Sequence, residues 1–373
     1  MVENILIAHL VSNGDCLMVT TLARQIKNDY PNCHLTWAIS SKCKQVIINN
    51  PYVDNIWEIE HNEKDSLAGN IWYDLKKKIQ CKKFDKVFYT QINPDYYLFY
   101  DGTTRSSTFN LYPNKITVPV EPIIRLFDAE IENVKKFVNN NNIENYVHKL
   151  IFECSPSSGQ SAMNLEMAIA ISEILTQKID SLVVIISTHI NFSNSNSRII
   201  NGSSLTFREN VELSKYCTFL VGCSSGISWL LTSDWAKQLK TVQILKRGYG
   251  FGFASMVYDF EYWKLNTSHI IETDICDKEN TSAIIIEALS NFELAKHKYH
   301  QIFRPNFQYF LDLLTISLIK KKYIQSYYLF LRFSKRNNVR WLLVPKFIIH
   351  IFKIIRSKIQ RKIINRSTIY LNY

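Results

Sequence analysis

The sequence lacks the short patterns that commonly hold a metal ion or a nucleoside triphosphate. Its eight cysteines include no Cys-x-x-Cys pair, so no zinc site with the usual ligand spacing is predicted. A chain of 373 residues is also too long to depend on a small disulfide framework. We therefore expect reduced core thiols in a cytosolic protein. No Gly-Lys pair is followed by Ser or Thr, which excludes a Walker loop.

Acidic residues are missing from the C-terminal part of the chain. None follows Asp312, whereas fourteen Lys and Arg residues lie between Lys320 and Arg366. Those fourteen charges exceed the net charge of +11 of the whole chain, so the part before them is slightly acidic. This asymmetry predicts that the C-terminal part meets an anionic surface.

The N-terminus lacks the features of a signal peptide. It has no basic n-region and no cleavage site, and His9 interrupts its apolar run. The run is therefore predicted to be a buried strand. The length of 373 residues suggests about two domains, and 46% hydrophobic residues are ample for their cores.

Apolar runs of strand length alternate with helical patterns in two series. The first series predicts strands at 5–9, 34–39, 55–59 and 86–90, with helices ending near 28 and over 42–48 and 65–79. The second predicts strands at 150–154, 181–187, 218–222 and 241–245, with helices over 164–177 and 210–216 and through 229–231. The tracts at 93–122 and 191–204 are predicted to be loops. Such alternation favours parallel, doubly wound sheets.

The predicted fold class is therefore α/β with two such domains and a basic helical tail. We expect an N-terminal domain at 1–142, a second domain at 143–312 and the tail at 313–373. The polar tetrad at 139–142 is the expected linker between the two domains.

Asp15 stands where the first strand gives way to a helix. Open α/β folds bind ligands at the carboxyl edge of the sheet, so a carboxylate at this junction is a candidate functional group. The helix N-terminus is expected to favour its ionised form, which would make it available as a base. The alternative is that Asp15 only caps the helix.

Two strand-to-helix turns in the second half are rich in small hydroxylated residues. One contains Ser157, Ser158, Gly159 and Gln160, and the other contains Ser224, Ser225, Gly226 and Ser228. Backbone N–H groups, serine hydroxyls and the helix dipole make such turns suited to a nucleotide diphosphate. Plain helix capping by Ser and Gly remains the alternative for either turn.

These residues resemble the family 9 glycosyltransferases, the heptosyltransferase-like enzymes of bacterial lipopolysaccharide assembly. The likeness begins with the first strand and the Ser12-x-Gly14-Asp15 motif. It continues through Thr20-Thr21-Leu22, Tyr30-Pro31, Trp37 and the stretch from Asn50 to Asp54, and it returns at Val221-Gly222-x-x-x-Gly226-x-Ser228. It covers about two-thirds of the chain.

The resemblance implies a GT-B fold, in which two Rossmann-like domains face each other over a cleft. It implies an inverting, metal-independent transfer from a nucleotide-activated sugar to a lipopolysaccharide, capsule or other cell-surface glycan. Asp15 would be the general base, with Asn13 and Gly14 on the acceptor side and the two Ser-rich turns on the donor side. No cofactor is expected, and the absence of Asp-x-Asp is consistent with metal independence.

The second motif differs from that of the family. Heptosyltransferases carry Asp-Thr-Gly-x-Ser-His there, whereas this chain has Ser224 and Trp229 at the first and last positions. Gln160 stands roughly where the family has a lysine near the donor phosphates. The donor sugar is therefore left open. A catalytically silent, sugar-nucleotide-binding or membrane-associated scaffold with the same fold is the alternative function.

The tail has a predicted amphipathic helix over 344–363. Its apolar positions recur at helical spacing, with Lys346, Lys353 and Arg361 opposite. The run is too short and interrupted to span a bilayer, so it is expected to lie on an anionic membrane, at the inner face of the cell membrane. A helix packed on the protein body is the alternative. Nucleic acid is not an expected partner, because no recognised binding module accompanies the charge.

Overall fold

A computed structural model describes residues 2–60, 69–92, 96, 102–154, 159–247, 255–304, 307–337, 345–353 and 356. The chain divides into two compact units, Met1–Arg304 and Pro305–Tyr373. The first unit contains two parallel sheets with helices, which confirms the predicted α/β class. The three-domain division expected from the sequence stays a prediction.

The first sheet has four parallel strands in the order β3-β2-β1-β4. They are β1 (Asn4–Ala8), β2 (His34–Ser40), β3 (Asn55–Ile59) and β4 (Lys86–Tyr89). The associated helices are α1 (Asn13–Asp29), α2 (Gly69–Gln80) and α3 (Thr104–Phe109). Ile5, Leu6 and Ile7 are fully buried because both faces of a parallel sheet are covered, so this strand reads as a continuous apolar run.

The second sheet has six parallel strands in the order β10-β9-β8-β5-β6-β7. They are β5 (His148–Glu153), β6 (Leu182–Ser187), β7 (Ile199–Asn201), β8 (Phe219–Gly222), β9 (Lys240–Ile244) and β10 (Ile270–Thr273). Counted from β5, this is the 3-2-1-4-5-6 order of the dinucleotide-binding fold. The strand order reverses between β5 and β8, where such folds leave a ligand crevice at the carboxyl edge.

Seven helices among the described residues accompany the second sheet. They are α4 (Asp128–Asn140), α5 (Leu165–Lys178), α6 (Glu209–Tyr216), α7 (Gly226–Leu230), α8 (Met256–Tyr262), α9 (Lys278–Ser290) and α10 (Phe292–Tyr299).

Several local expectations were wrong. The helix expected over 42–48 is only a 3-10 turn, Lys44–Val46. The expected loops contain α3 and β7, because six and three residues respectively are too short to show a clear hydrophobic period. The tetrad at 139–142, expected as the interdomain linker, lies at the end of α4, whose buried Val134 and Val138 belong to a core cluster of the second half. Its role between the two expected domains stays a prediction.

The two halves share a continuous apolar interface. The core cluster around β1 and β2 also includes Trp229, Leu230 and Phe260 from the second half. The chain passes between the two sheets along residues 110–127, which form neither helix nor strand. The site described below lies beside this shared core.

Arg208 ties the halves together by hydrogen bonds. It lies just before α6, is 4% exposed, and its Nε lies 2.6 Å from Oε1 of Glu130. Its Nη1 donates to the carbonyl oxygens of Gln45 (2.8 Å) and Ile48 (3.0 Å) beyond β2. A planar guanidinium can satisfy these acceptors together because its donors point in fixed directions. The relative position of the two sheets is thereby held by one side chain as well as by packing.

The second unit is helical where it is described. Its helices are α11 (Phe307–Ile319) and α12 (Tyr323–Asn337), followed by a helix over 345–353. Phe310 and Phe333 stack at 4.0 Å between ring centroids, which joins α11 to α12. Much of the amphipathic stripe predicted over 344–363 lies outside the described residues. Within the described ranges, no helix combines the length and apolarity needed to cross a membrane.

Candidate active site

Asp15 lies in the first turn of α1, just beyond the carboxyl end of β1. The preceding Ser12 has φ 72°, a left-handed conformation that is uncommon for a residue with a side chain. Its side chain makes no capping hydrogen bond, although its carbonyl accepts from the Cys16 amide at 2.9 Å. Backbone strain of this kind clusters at functional sites and costs on the order of 1–3 kcal/mol. Its location beside Asp15 supports a functional role for this turn.

Asp15 is half-buried beside the shared core. Burial raises its pKa to about 7, and a side-chain hydrogen bond from Thr104 opposes that rise only in part. The helix N-terminus, which is expected to favour the ionised form of this carboxylate, does not offset the effect of burial on its pKa. Loss of water outweighs the helix dipole, which typically contributes only ~0.3–1 kcal/mol. A carboxyl group with a pKa near 7 is suited to taking up and releasing a proton at neutral pH.

The turn before α7 faces this carboxylate turn across the interface. Ser224 also has a left-handed conformation, with φ 51°, and is 2% exposed. A Cβ added to Gly226 would lie 4.0 Å from Cβ of Asn13 and 3.0 Å from the ring of Phe207. Two strained serine turns, each leading into a helix, therefore meet where the two sheets present their carboxyl edges.

Glu153 fills the positive end of α7. Its carboxylate ends β5 and accepts the amides of Ile227 (2.9 Å) and Ser228 (3.1 Å). It also accepts the Cys223 amide at 3.0 Å, the Ser225 hydroxyl at 2.5 Å and the Ser228 hydroxyl. Glu153 is 2% exposed. Its carboxylate therefore occupies the place between β5 and β8, where the strand order reverses and where a ligand anion was expected.

Ser228 is a structural member of this network. It is fully buried, and its hydroxyl donates to Glu153 while accepting from Nε2 of Gln243 at 3.0 Å. A Cβ on Gly222 would lie 2.3 Å from that hydroxyl oxygen, so only glycine fits there. Direct donor contact by Ser228 stays a prediction, but its hydroxyl already has two partners.

Gln160 joins the first Ser-rich loop to the second. It is 6% exposed, and its Nε2 donates to the Ser224 carbonyl at 3.1 Å. Its backbone carbonyl accepts a hydrogen bond from the Lys246 backbone amide at 2.7 Å, so the ends of β5, β8 and β9 meet here. Gly159 is exposed with φ 72°. Ser157 and Ser158 lie outside the described residues, and donor binding by this whole set stays a prediction.

Trp229 packs beside Gly14, in the turn that carries Asp15. A Cβ on Gly14 would lie 3.7 Å from Cδ1 of Trp229. The Arg105 guanidinium lies 5.4 Å from the centre of the Trp229 ring. Trp229 is 6% exposed and therefore acts as a wall between the halves.

Sequence reasoning missed three groups at this site. Glu153 and Gln243 looked like ordinary strand residues, and their partners are far away in the chain. Lys246 was overlooked although it directly follows the predicted strand at 241–245, a position where parallel sheets present ligand-binding groups. Within the described ranges, no group of three or more His, Cys, Asp or Glu side chains could hold a metal ion.

The fold is similar to solved glycosyltransferases. The glycosyl transferase family 9 from Veillonella parvula DSM 2008 matches with a TM-score of 0.53 at 12% identity, over 79% of this chain and 98% of that one. This likeness confirms the predicted GT-B fold. E. coli ADP-heptose lps heptosyltransferase II gives 0.48 at 12% identity, over 79% and 100% of the chains. E. coli heptosyltransferase WaaC with ADP gives 0.49 at 11%, over 79% and 100%. No family model and no curated protein matches the sequence.

We predict that Glu153→Gln destabilises the protein by roughly 2–4 kcal/mol. The NH₂ group of the glutamine would face N–H and O–H groups that now donate hydrogen bonds to the carboxylate, and two donors cannot pair with each other. Urea unfolding at pH 7 measures the change. Glu166→Gln is the matched control, since Glu166 is exposed in the first turn of α5 and its loss should cost at most ~1 kcal/mol. Equal stability of the two variants would contradict the role given to Glu153.

Proposed function

We propose that the protein is an inverting glycosyltransferase that uses a nucleotide-diphosphate sugar and needs no metal. Its acceptor is a lipopolysaccharide, capsule or other cell-surface glycan. The observation that carries the proposal is the meeting of the turn that carries Asp15 with the turn from Ser224 to Gly226, where Gly226 approaches Asn13. Similarity to the family 9 structure adds support at the level of fold.

In the proposed reaction, Asp15 removes the proton from an acceptor hydroxyl. The oxygen attacks the anomeric carbon from the face opposite the diphosphate, and the carbon–oxygen bond to that diphosphate breaks. The nucleoside diphosphate leaves with the bonding electron pair, and the anomeric configuration is inverted. A base with a pKa near 7 supports this role because it is largely unprotonated just above neutral pH.

Lys246 is the proposed positive charge for the donor diphosphate. The Glu153 carboxylate already neutralises the end of α7 and would repel a second anion, so an added cation is needed. Lys246 is exposed at the carboxyl end of β9, and its backbone bonds to Gln160. The neighbouring Arg247 instead pairs with Asp274 at 2.6 Å. Gln160 stands roughly where family 9 glycosyltransferases have a lysine near the donor phosphates. In the proposed site, Lys246 supplies the positive charge of that lysine.

The second unit is proposed to bind an anionic membrane surface at the inner face of the cell membrane. This unit has exposed apolar side chains and many basic residues. No acidic residue follows Asp312 in the sequence. The exposed apolar set comprises Ile316, Ile319, Tyr323, Ile324, Tyr327, Tyr328, Ile348, Ile349 and Phe352. Lys320, Lys321 and Lys322 join α11 to α12. Apolar insertion combined with lysine attraction is the usual basis of interfacial binding.

We predict that Asp15→Asn lowers turnover by ~10²–10⁴-fold while nucleotide-sugar binding persists. Release of nucleoside diphosphate from ADP-, UDP- and GDP-sugars, with water or glycan as acceptor, measures turnover. Asp74→Asn, an exposed change on α2, is the control. Because the base must be unprotonated, wild-type kcat/KM should rise with pH through about 7. Unchanged turnover in Asp15→Asn would refute the base, and binding without any turnover by the wild-type protein would favour the silent scaffold.

We predict that Lys246→Met weakens nucleoside diphosphate binding at least tenfold, since a charge-assisted hydrogen bond is worth ~1.5–3 kcal/mol. Titration calorimetry with ADP, UDP and GDP measures the effect. Lys240→Met tests the specificity, because Lys240 is exposed at the opposite end of the same strand. If both variants bind like wild type, Lys246 does not serve the donor.

We predict that neutralising Lys320, Lys321 and Lys322 to Gln releases the protein from vesicles containing phosphatidylglycerol. Each lysine near such a surface contributes ~1 kcal/mol, so cosedimentation should fall more than tenfold. The matched control neutralises Lys77, Lys78 and Lys83, which are exposed in the first unit. Pure phosphatidylcholine vesicles measure the apolar contribution. Undiminished binding of the first variant would count against this surface.

A further inference from the structure

The short helix α3 contacts both halves of the first unit. It belongs to the first half by sequence and packs against α1, the helix that carries Asp15. Its side chains also contact α7 and α8 of the second half. The position of α3 beside Asp15 therefore depends on both halves.

Arg105 attaches α3 to the second half by a buried ion pair. Its Nε lies 3.3 Å from Oδ1 of Asp259 on α8, and the two side chains are 1% and 0% exposed. Its guanidinium carbon lies 5.4 Å from the ring centres of both Trp229 and Phe260. Loss of water around two buried charges offsets much of their attraction, so such a pair adds little net stability. Its main effect is to fix where α3 lies.

Phe109 is a second point of attachment. Its ring meets that of Trp263, directly after α8, edge to face at 5.3 Å between centroids. Arg105 and Phe109 are four residues apart in the helix and therefore lie on one face of α3. That face is held against the second half.

Thr104 stands beside this face and contacts Asp15. Its hydroxyl donates to the Asp15 carboxylate, which opposes the rise that burial causes in the pKa of Asp15. Neighbouring hydroxyls of α3 bond within the same segment. Oγ1 of Thr103 lies 2.7 Å from Oγ of Ser106, and the Ser107 hydroxyl donates to the Thr103 carbonyl at 2.5 Å. Thr104 instead joins α3 to α1.

The charges near Asp15 are few. α7, which also packs against α1, has no charged residue, and α3 brings Arg105, which is already ion-paired. The thiols of Cys16 on α1 and Cys43 beyond β2 interact electrostatically with Asp15. All of these groups stay in place when only the Thr104 hydroxyl is removed. A change in the titration of Asp15 on that removal therefore reports the hydrogen bond.

We propose that Thr104 is a positioning residue for the general base, and that Arg105 and Phe109 keep it in place by attaching α3 to the second half. One oxygen of the Asp15 carboxylate accepts the Thr104 hydroxyl, which leaves the other oxygen to take the proton of the acceptor. A threonine suits this role because its χ1 rotation is restricted, so its hydroxyl follows the position of the helix. The inference rests on the proposed function of Asp15.

Thr104→Val removes the hydroxyl and keeps the shape of the side chain. The pKa of Asp15 should rise, so the pH at which kcat/KM is half-maximal should move up by about one pH unit. At high pH, where the base is ionised in every variant, kcat should still fall by about tenfold or more because the carboxylate is no longer oriented. The KM for the sugar nucleotide should not change. Thr104→Ser keeps the hydroxyl and should restore both the pH profile and kcat.

Thr108→Val is the matched control. Thr108 lies on the same helix, and its hydroxyl has no hydrogen-bond partner among the described residues. This variant should keep the pH profile and kcat of the wild-type protein.

NMR of protein labelled with ¹³C at the aspartate carboxyl groups follows Asp15 without any turnover, and Asp15→Asn assigns its signal. The signal should titrate at higher pH in Thr104→Val than in the wild-type protein. Equal titrations would overturn the proposal, as would an unchanged kcat at high pH in Thr104→Val or the same losses in Thr108→Val. Absence of turnover by the wild-type protein would instead reject the proposed base, and the titration would still show whether Thr104 binds Asp15.

The attachment of α3 is tested by the double change Arg105→Met with Asp259→Leu, which leaves no unpaired buried charge. It should raise the pKa of Asp15 and lower kcat at high pH, as Thr104→Val does. Unchanged values would overturn the role given to the attachment. Circular dichroism checks that each variant is folded. If the double variant does not fold, Phe109→Leu, which removes the ring contact with Trp263, tests the same attachment.

Discussion

The buried carboxylate of Glu153 organises the centre of the second half. It ends β5 and binds the turn that links β8 to α7, so it joins neighbouring strands and a helix at the reversal of strand order. Because it satisfies the first amides of α7, the turn can hold Ser224 in its left-handed conformation and place Gly226 against Asn13. The geometry opposite Asp15 thus depends on an interaction far from Asp15 itself.

That arrangement changes the electrostatics of the proposed donor site. In many α/β folds a helix N-terminus is left free for a phosphate, whereas here a side chain of the protein neutralises it. In the proposed donor site, attraction for a diphosphate would come from cations at the strand ends, among which we propose Lys246.

Local patterns predicted most of the strands because β1, β5 and β6 are buried on both faces and are continuously apolar. The three-residue β7 was missed, since its position in the sheet depends on pairing with β6 and not on its own pattern. Asp15 could be found because its strand, turn and helix are contiguous. The partners of Glu153 are 70 to 75 residues away, and the burial of Arg105 depends on α8, so neither could be predicted from the sequence.

The close approach of Gly226 to Asn13 has a kinetic consequence. In the proposed function a diphosphate would bind between these helix ends, and it could enter only after the two turns separate. On that proposal, the apparent affinity for a nucleotide would be reduced in proportion to the scarcity of the separated form. At high nucleotide concentration, the observed association rate would then level off at the rate of separation.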